Sequence, residues 1–337
     1  MSPANHYVLV TGGNGFVGSN IVKFLAQNKR RVLMVDIDPP GPLLTDYLEG
    51  SQEYVDSVQV NLTDYDKVMR IGQDYKLNGI IHAAVFTVVT KEVEQARSRE
   101  ILNTNLMGTV NMLELARAAG VKRFVYVSSS GVYGSTPDVD MPVTEDSTQP
   151  YLQRGDFYII TKVTSEKLTE RYSQLFPMTT TSMRIAAPYG CMERPTSTRN
   201  VMGVVFNLLR LVLTEKRKII HVKGSDYVRD FTYVMDTARG LVAGLDAPGP
   251  LSPIYNVSSG VNSSVKNILE AIKESSGVDF EWKEVKEDKE ADYIVAGSTR
   301  GPLSIEKAGN ELGFRPQYNL KQGIKEYCEW WKRVARR

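Results

Sequence analysis

The chain has 337 residues, 42% of them hydrophobic and 24% charged, with a formal net charge of +2; such a chain buries a large core and is neither disordered nor fibrous. Basic residues alternate with acidic ones, which excludes the extended positive footprint of a nucleic-acid binder, and the two distant cysteines, Cys191 and Cys328, suggest neither a disulfide framework nor a zinc site. No apolar run reaches the roughly 18 to 20 residues that span a bilayer, the best one, Val204 to Leu213, being broken by Asn207 and Arg210.

The start passes from Met1 through a short polar lead into Tyr7-Val8-Leu9-Val10, with no room for a signal peptide, so a soluble, cytoplasmic protein is expected. Short apolar runs then alternate with helix-period segments. Candidate strands are Tyr7 to Val10, Val32 to Val35, Val58 to Val60, Gly79 to His82 and Phe124 to Ser128, with intervening segments long enough for crossover helices. The clearest helix runs from Ile101 to Ala119 and stops at Gly120. Val- and Ile-rich strands separated by helices predict an α/β fold, a Rossmann-type doubly wound parallel sheet covered on both faces. After about residue 183 prolines punctuate shorter elements, which predicts a smaller, mainly C-terminal substrate lobe. The expected division is 1–183 and 225–246 for the dinucleotide domain, and 184–224 and 247–337 for the substrate lobe. Helices are expected over Val201 to Thr214, Val265 to Ser275, Ser304 to Leu312 and Leu320 to Arg333, and the charged run Glu281 to Asp292 reads as a solvated edge strand and loop.

The first strand ends in Thr11-Gly12-Gly13-Asn14-Gly15-Phe16-Val17-Gly18. Gly12, Gly15 and Gly18 permit a tight turn, close approach of backbone N–H groups to a pyrophosphate, and close packing of helix on strand, while the helix amino terminus adds partial positive charge. A glycine pattern alone is a weak signal; its place between a predicted strand and a predicted helix supplies the context it requires. Asp36 ends the second strand where an acidic side chain meets the adenosine ribose, and its charge repels a 2′-phosphate, so NAD is expected as cofactor. Arg30 and Arg31 precede that strand and read as surface charges, and Asp38 as a solvated loop residue.

Tyr158 and Lys162 stand four residues apart, on one helical face. A free phenol titrates near 10, and a neighbouring ammonium together with an oxidised nicotinamide favours its anion, which makes Tyr158 a candidate general acid/base. The pair gains weight from Ser128-Ser129-Ser130-Gly131-Val132-Tyr133-Gly134, at the carboxyl end of a predicted strand, where open parallel sheets bind ligands.

With these motifs in this order the chain resembles the extended short-chain dehydrogenase/reductase family, most nearly its epimerase/dehydratase branch, which includes UDP-galactose 4-epimerase; the resemblance covers nearly the whole chain. It implies that Ser129, Tyr158 and Lys162 are catalytic, Ser129 being placed by alignment on Val132-Tyr133-Gly134. It implies that Gly12, Asn14, Gly15, Phe16, Val17, Gly18, Asp36, Asn61, Leu62, Ala83, Ala84 and Asn105 join Tyr158 and Lys162 around the cofactor, with Asn61 replacing a usual Asp and Asn105 bracing the sheet. Substrate contacts carry over to Thr87, Ser130, Tyr189 and Arg229, the last on a diphosphate; Val85 and Phe86 share the pocket, Phe86 also reading as core, and His82 reads as structural. A local pair with an acid such as Asp226 is the alternative for Arg229. Ser130-Gly131 stands where the family's sugar dehydratases carry an Asp-Glu pair, so dehydration is set aside. Ala187 replaces a substrate-binding Asn and Lys289 a second phosphate-binding Arg, which weakens the expectation of a UDP-sugar.

The expected reaction is therefore reversible hydride transfer at a secondary alcohol or ketone of a sugar-like or nucleotide-sugar substrate, by an epimerase-like enzyme. An NAD-dependent dehydrogenase of another hydroxy compound, such as a free sugar or sugar acid, is the first alternative. A non-catalytic NAD-sensing or scaffold protein is the second. The helices holding Ile101 to Ala119 and Tyr158 to Leu175 form a dimer contact in the family, so a homodimer is expected. Neither nucleic acid nor a membrane is expected as a partner, and no metal.

Overall fold

The computed structural model describes residues 6–87, 90–136, 138–147, 155–295, 297 and 299–335. The first half alternates β1 (Tyr7–Thr11), α1 (Phe16–Gln27), β2 (Val32–Asp36), α2 (Pro42–Tyr47), β3 (Val55–Gln59), α3 (Tyr65–Asp74), β4 (Leu77–His82), α4 (Lys91–Leu102), α5 (Gly108–Ala118), β5 (Arg123–Ser129), α6 (Phe157–Leu175) and β6 (Thr179–Ile185). Shorter elements follow: β7 (Ala187–Tyr189), α7 (Val204–Leu209), β8 (Ile219–Lys223), β9 (Val228–Arg229), β10 (Phe231–Tyr233), α8 (Val234–Asp246), β11 (Ile254–Val257), β12 (Ser263–Ser264), α9 (Val265–Ser276), β13 (Glu281–Glu284), β14 (Tyr293–Ile294), α10 (Glu306–Leu312) and α11 (Leu320–Val334).

Seven strands form one sheet in the order β11-β6-β5-β4-β1-β2-β3, every pair parallel. The chain winds outward from β1 in one direction through β2 and β3, then returns to place β4 on the other side of β1. That reversal opens a crevice between the carboxyl ends of β1 and β4, the place where doubly wound sheets bind dinucleotides. The expected Rossmann-type fold is present. Strand alternation distributes the core: Val8 and Val10 join a cluster with Ile21 and Leu25 of α1, while Leu9 points the opposite way and joins Ile80, Phe124, Met112 and Leu115. Both faces are thus buried, which accounts for nearly continuous apolar strands.

Local signals place the helix ends. Asp64 caps α3 by accepting from Lys67 N, Asp156 caps α6 by accepting from Ile159 N, and capping boxes open α9 and α11 at Ser264 and Asn319. Gly120, with φ +67°, takes the left-handed conformation that ends α5.

Two features depart from the sequence expectation, and a third agrees with it. The helix read as Ile101 to Ala119 begins at Lys91 and carries a wide π turn over Asn103–Met107; a second such turn, Arg210–Thr214, follows α7. Strand β11 adds to the large sheet beside β6, so residues 254–257, assigned from sequence to the substrate lobe, extend the dinucleotide sheet. In the second half β8 pairs with both β13 and β14 in a small parallel sheet, and the charged run forms its exposed edge. Among the described residues no helix is long and apolar enough to cross a membrane.

Candidate active site

Because the strands are parallel, everything that follows β1, β2, β3, β4 and β5 emerges at one edge of the sheet. A cavity of about 820 Å³ lies there, and its wall includes Gly12, Asn14, Gly15, Phe16, Val17, Gly18, Asp36, Asn61, Leu62, Ala83, Ala84 and Thr87. Of the cofactor residues expected from sequence, Asn105, Tyr158 and Lys162 are absent from that wall.

The glycine loop is built for close approach. Gly12 has φ +66°, and a Cβ there would stand 2.9 Å from the backbone of Ala84. At Gly18 a Cβ would come within 1.9 Å of the Gly12 carbonyl oxygen, so α1 can lie against the loop only with glycine at this position. Helix α1 is capped by Gly15 without a side-chain bond and has no acid in its first turn, which leaves its amino-terminal N–H groups to an anion. Asp36 closes β2 beside this loop, accepting from Asn14 N at 2.9 Å and Asp38 N at 3.2 Å. Burial pushes its carboxyl up, and those N–H groups oppose the shift. These residues fit a dinucleotide: a side-chain-free cradle at a helix amino terminus and an acid one strand away. Asn61 is exposed, and its carboxamide oxygen accepts from Thr63 N at 3.0 Å, so its side chain braces the loop after β3. Arg30 and Arg31 lie at the other end of β2, paired with Asp246 and Asp56, as surface charges should.

His82 is locked between two hydroxyls, Nδ1 to Thr11 Oγ1 at 2.7 Å and Nε2 to Thr109 Oγ1 at 3.0 Å. Thr11 Oγ1 accepts from Ala83 N and Ala84 N, and the Thr109 hydroxyl donates to Asn105 O; the ring therefore carries its hydrogen on Nε2. Burial, with Lys162 adding, pushes His82 down to about 3. It is a neutral structural tie between β1, β4 and α5. Asn105 sits in the π turn and grips Phe86, accepting from its N–H at 2.7 Å and donating to its carbonyl at 3.1 Å, while also donating to Thr161 Oγ1 at 3.1 Å. It thus braces the segment after β4 against α6 and does not line the cavity.

Ser129 ends β5, its Oγ accepting from Gly131 N at 3.0 Å. Tyr158, half-buried in the first turn of α6, stands near enough to Ser129 for that side chain to act on its phenol. Lys162, one turn further, is buried and donates to Val127 O at 2.5 Å. The three residues read from sequence thus converge at the end of β5. Their electrostatics differ from the expectation. Burial raises the Tyr158 phenol; the Ser129 side chain and the Arg199 guanidinium pull it down, and Asp156 pushes it up. Arg199 adds its charge to that of Lys162, whose ammonium is bonded to Val127 O and lies 5.6 Å from the centre of the Tyr158 ring. Burial pushes Lys162 itself down to about 7, with Glu166 opposing.

On the substrate side Ser130 is buried at the start of a short turn, Ser130–Tyr133. Arg229 donates to the Tyr227 hydroxyl at 2.9 Å, not to Asp226. Its neighbour Asp230 is buried and gathers N–H groups from Ser259, Gly260 and Leu303, which fixes the chain around Arg229. The second cation there is Arg300, buried and pushed down to about 9 by burial and by Arg229; Lys289, the residue read from sequence, lies in an exposed turn between β13 and β14. Tyr189 corrects another expectation. Its hydroxyl donates to Leu320 O at 3.2 Å and its ring, 2% exposed, packs on Tyr233, so its side chain is committed to the core beneath α11. The sequence reading also missed Arg194 and Arg199, which line the cavity; lying in a segment without periodicity, they carry no local signal.

The family model for the NAD dependent epimerase/dehydratase family matches residues 8–258. The chain is 28% identical to UDP-glucuronate 4-epimerase of Thermodesulfobacterium geofontis, covering 97% of this chain and 96% of the relative. It is 29% identical to a putative UDP-glucose 4-epimerase of Methanocaldococcus jannaschii, covering 96% and 98%. Among solved structures, Thermus thermophilus UDP-glucose 4-epimerase in complex with NAD superposes with a TM-score of 0.77 at 25% identity, covering 97% of this chain and 99% of that one. With a matching model over most of its length, a seven-stranded doubly wound sheet and a dinucleotide cradle at its crevice, the chain belongs to the NAD dependent epimerase/dehydratase family, and its cofactor is NAD.

Proposed function

We propose that the chain interconverts nucleotide sugars as a 4-epimerase, by reversible hydride transfer at a secondary alcohol. The observation that carries this reading is that Lys162, bonded to Val127 O near the end of β5 where Ser129 stands, lies 5.6 Å from the centre of the Tyr158 ring. Tyr158 takes the hydroxyl proton as hydride leaves the carbinol carbon, and the Ser129 hydroxyl holds the same oxygen. Bound NAD supplies the hydride acceptor and returns the hydride. Lys162, anchored on Val127 O, fixes the height of α6 over β5 and so the distance between Tyr158 and Ser129.

Arg229 and Arg300 supply the reason to favour a nucleotide sugar. Two guanidinium groups that repel one another, with Arg229 Nε buried and without a hydrogen-bond partner, suit a diphosphate, which neutralises both. The UDP-sugar acted on by the relatives is accordingly the first substrate to test, although Ala187 offers no side-chain hydrogen bond to the sugar. Dehydration is disfavoured, since Ser130 and Gly131 provide no acid or base, and a Cβ at position 131 would already stand 2.6 Å from Ile159.

The deciding measurement incubates the NAD-loaded protein with UDP-glucose, UDP-glucuronate, other nucleotide sugars, free aldoses and sugar acids. Epimerised product without accumulating NADH is expected. Stoichiometric NADH would replace the epimerase by a dehydrogenase, and NAD binding with no turnover of any compound would leave a sensor. We assign the protein to the cytoplasm and to a homodimer formed by the α4–α5 and α6 helices, where Met107 and Ile160 are exposed; light scattering at the mass of one chain would remove the dimer.

A further inference from the structure

The segment from Glu193 to Arg199, between β7 and α7, belongs to neither sheet nor helix, yet it forms part of the cofactor cavity wall. It is pinned on three sides. Arg194 Nη2 donates to Asn14 O at 2.6 Å and to Asn14 Oδ1 at 3.1 Å, on the glycine loop. Thr87 N, after β4, donates to Thr198 O at 3.0 Å. Arg97 Nη1, from α4, donates to Ser197 O at 3.1 Å. Within the segment Glu193 Oε1 accepts from Arg199 Nη2 at 2.6 Å and from Gly203 N at 2.8 Å. The chain that leaves the sheet at β7 therefore runs back as a strap tied to the glycine loop, to the end of β4 and to α4.

Its two arginines stand where a helix alone would repel them. Arg194 is bonded to Asn14, and the Arg199 guanidinium lies 5.3 Å from the centre of the Phe16 ring; these two residues flank Gly15, the cap of α1. A helix amino terminus carries partial positive charge and disfavours cations. Asp36 and Asp38 offset Arg194 and Glu193 offsets Arg199, which makes the placement tolerable without making it favourable to the helix. Arg199 Nε is buried and has no hydrogen-bond partner. A doubly charged anion at the amino terminus of α1 would satisfy the helix and both guanidinium groups together.

We infer that the strap is the second half of the pyrophosphate site: Arg194 and Arg199 close on the dinucleotide pyrophosphate together with the glycine loop, and the three pins retain the cofactor through turnover. The inference rests on NAD as cofactor and goes beyond the epimerase reading by naming what keeps the dinucleotide in place. Release then requires the bonds to Asn14, Thr87 and Arg97 to break together, which holds the reduced dinucleotide for the return hydride.

The test is binding, not turnover: NADH fluorescence titration and dissociation rate, with displacement by adenosine, which has the ribose and base but no pyrophosphate. In Arg194→Gln and in Arg199→Gln, NADH affinity is expected to fall about tenfold or more, with a matching rise in dissociation rate and little change for adenosine. Arg194→Lys should fall between, since an ammonium keeps the charge and loses the fork. Equal weakening of NADH and adenosine, or NADH binding unchanged in Arg194→Gln, overturns the proposal. Should Arg199→Gln fail to fold because Glu193 loses its cation, the Arg194 pair of variants decides. A wild-type protein that takes up no NADH overturns the cofactor reading as well, whereas retained NADH with no epimerised sugar overturns only the proposed reaction.

Discussion

Arg184 and Glu166 meet side-on in the interior: Nε donates to Oε1 at 2.9 Å and Nη2 to Oε2 at 2.8 Å, with side chains 1% and 2% exposed. The pair reaches outward on both sides. Ser128 Oγ donates to Glu166 Oε1 at 2.6 Å, Arg184 Nη1 donates to the Tyr133 hydroxyl at 2.8 Å, and that hydroxyl donates to Asn256 Oδ1 at 2.8 Å. One network thus joins β5, α6, β6, β11 and the serine turn directly beneath Ser129 and Lys162. Removing one partner strands a buried charge, so Glu166→Leu or Arg184→Met should each cost about 3–5 kcal/mol. The double variant should recover a large part of that loss, because an apolar pair of similar volume needs no counter-charge. Urea unfolding of the four proteins checks this, and additive losses would show that the pair is not coupled.

Acid stability should depend on His82. An unfolded histidine titrates near 6.5, whereas buried His82 titrates at about 3. Between those values the unfolded chain binds a proton that the folded chain refuses. Its contribution is therefore complete above about pH 6.5 and is lost as pH falls toward 3, at about 1.4 kcal/mol per unit. In His82→Asn this part of the pH slope should disappear. Unfolding free energies at pH 7, 6, 5 and 4 for both proteins measure it, and parallel curves would contradict the assignment.

Glycines 13 and 18 should respond differently to alanine. The Cβ of Gly18→Ala meets the Gly12 carbonyl oxygen, part of a tight backbone turn, whereas that of Gly13→Ala meets the Met34 side chain at 2.1 Å. Buried Met34 must swing its Cγ to another rotamer, which costs packing but leaves the backbone in place, whereas the turn has no such alternative. Gly18→Ala is expected to lose about 1–3 kcal/mol of stability and most NAD affinity, the usual range for overpacking, and Gly13→Ala distinctly less. Thermal melts with and without NAD compare them; a larger loss at Gly13 would reverse the argument.

Tyr158→Phe removes the proposed proton carrier and leaves the ring, so turnover should fall about 10²–10⁴-fold with NAD affinity little changed. Single-turnover hydride transfer, followed by NADH absorbance, reads the loss. Full activity in this variant would dismiss Tyr158 as the acid/base.

The early strands, the glycine loop, Asp36 and the Tyr158–Lys162 spacing were legible because each depends on neighbours within a few turns: periodicity marks the element, and a parallel sheet brings all carboxyl ends to one edge; Ser129 was singled out among three serines only by the resemblance to the family. Lys162 shows the limit. Its place one turn from Tyr158 follows from helix geometry alone, but that its ammonium bonds Val127 O, and that Arg199 adds a second positive charge at Tyr158, depends on burial and on a loop from elsewhere.

Fold class and cofactor could be read from the chain alone, since local spacing marks the strands, the glycine loop and Asp36. Only the tertiary structure decided which cations face the site and which aromatic residues leave it. Arg194 meets Asn14 across 180 positions and Tyr189 meets Leu320 across 131, while β11 joins a sheet whose other strands lie before residue 186. Contacts at such separations are set by the path of the crossovers and by competition for the core, and neither leaves a periodic trace in the residues that make them.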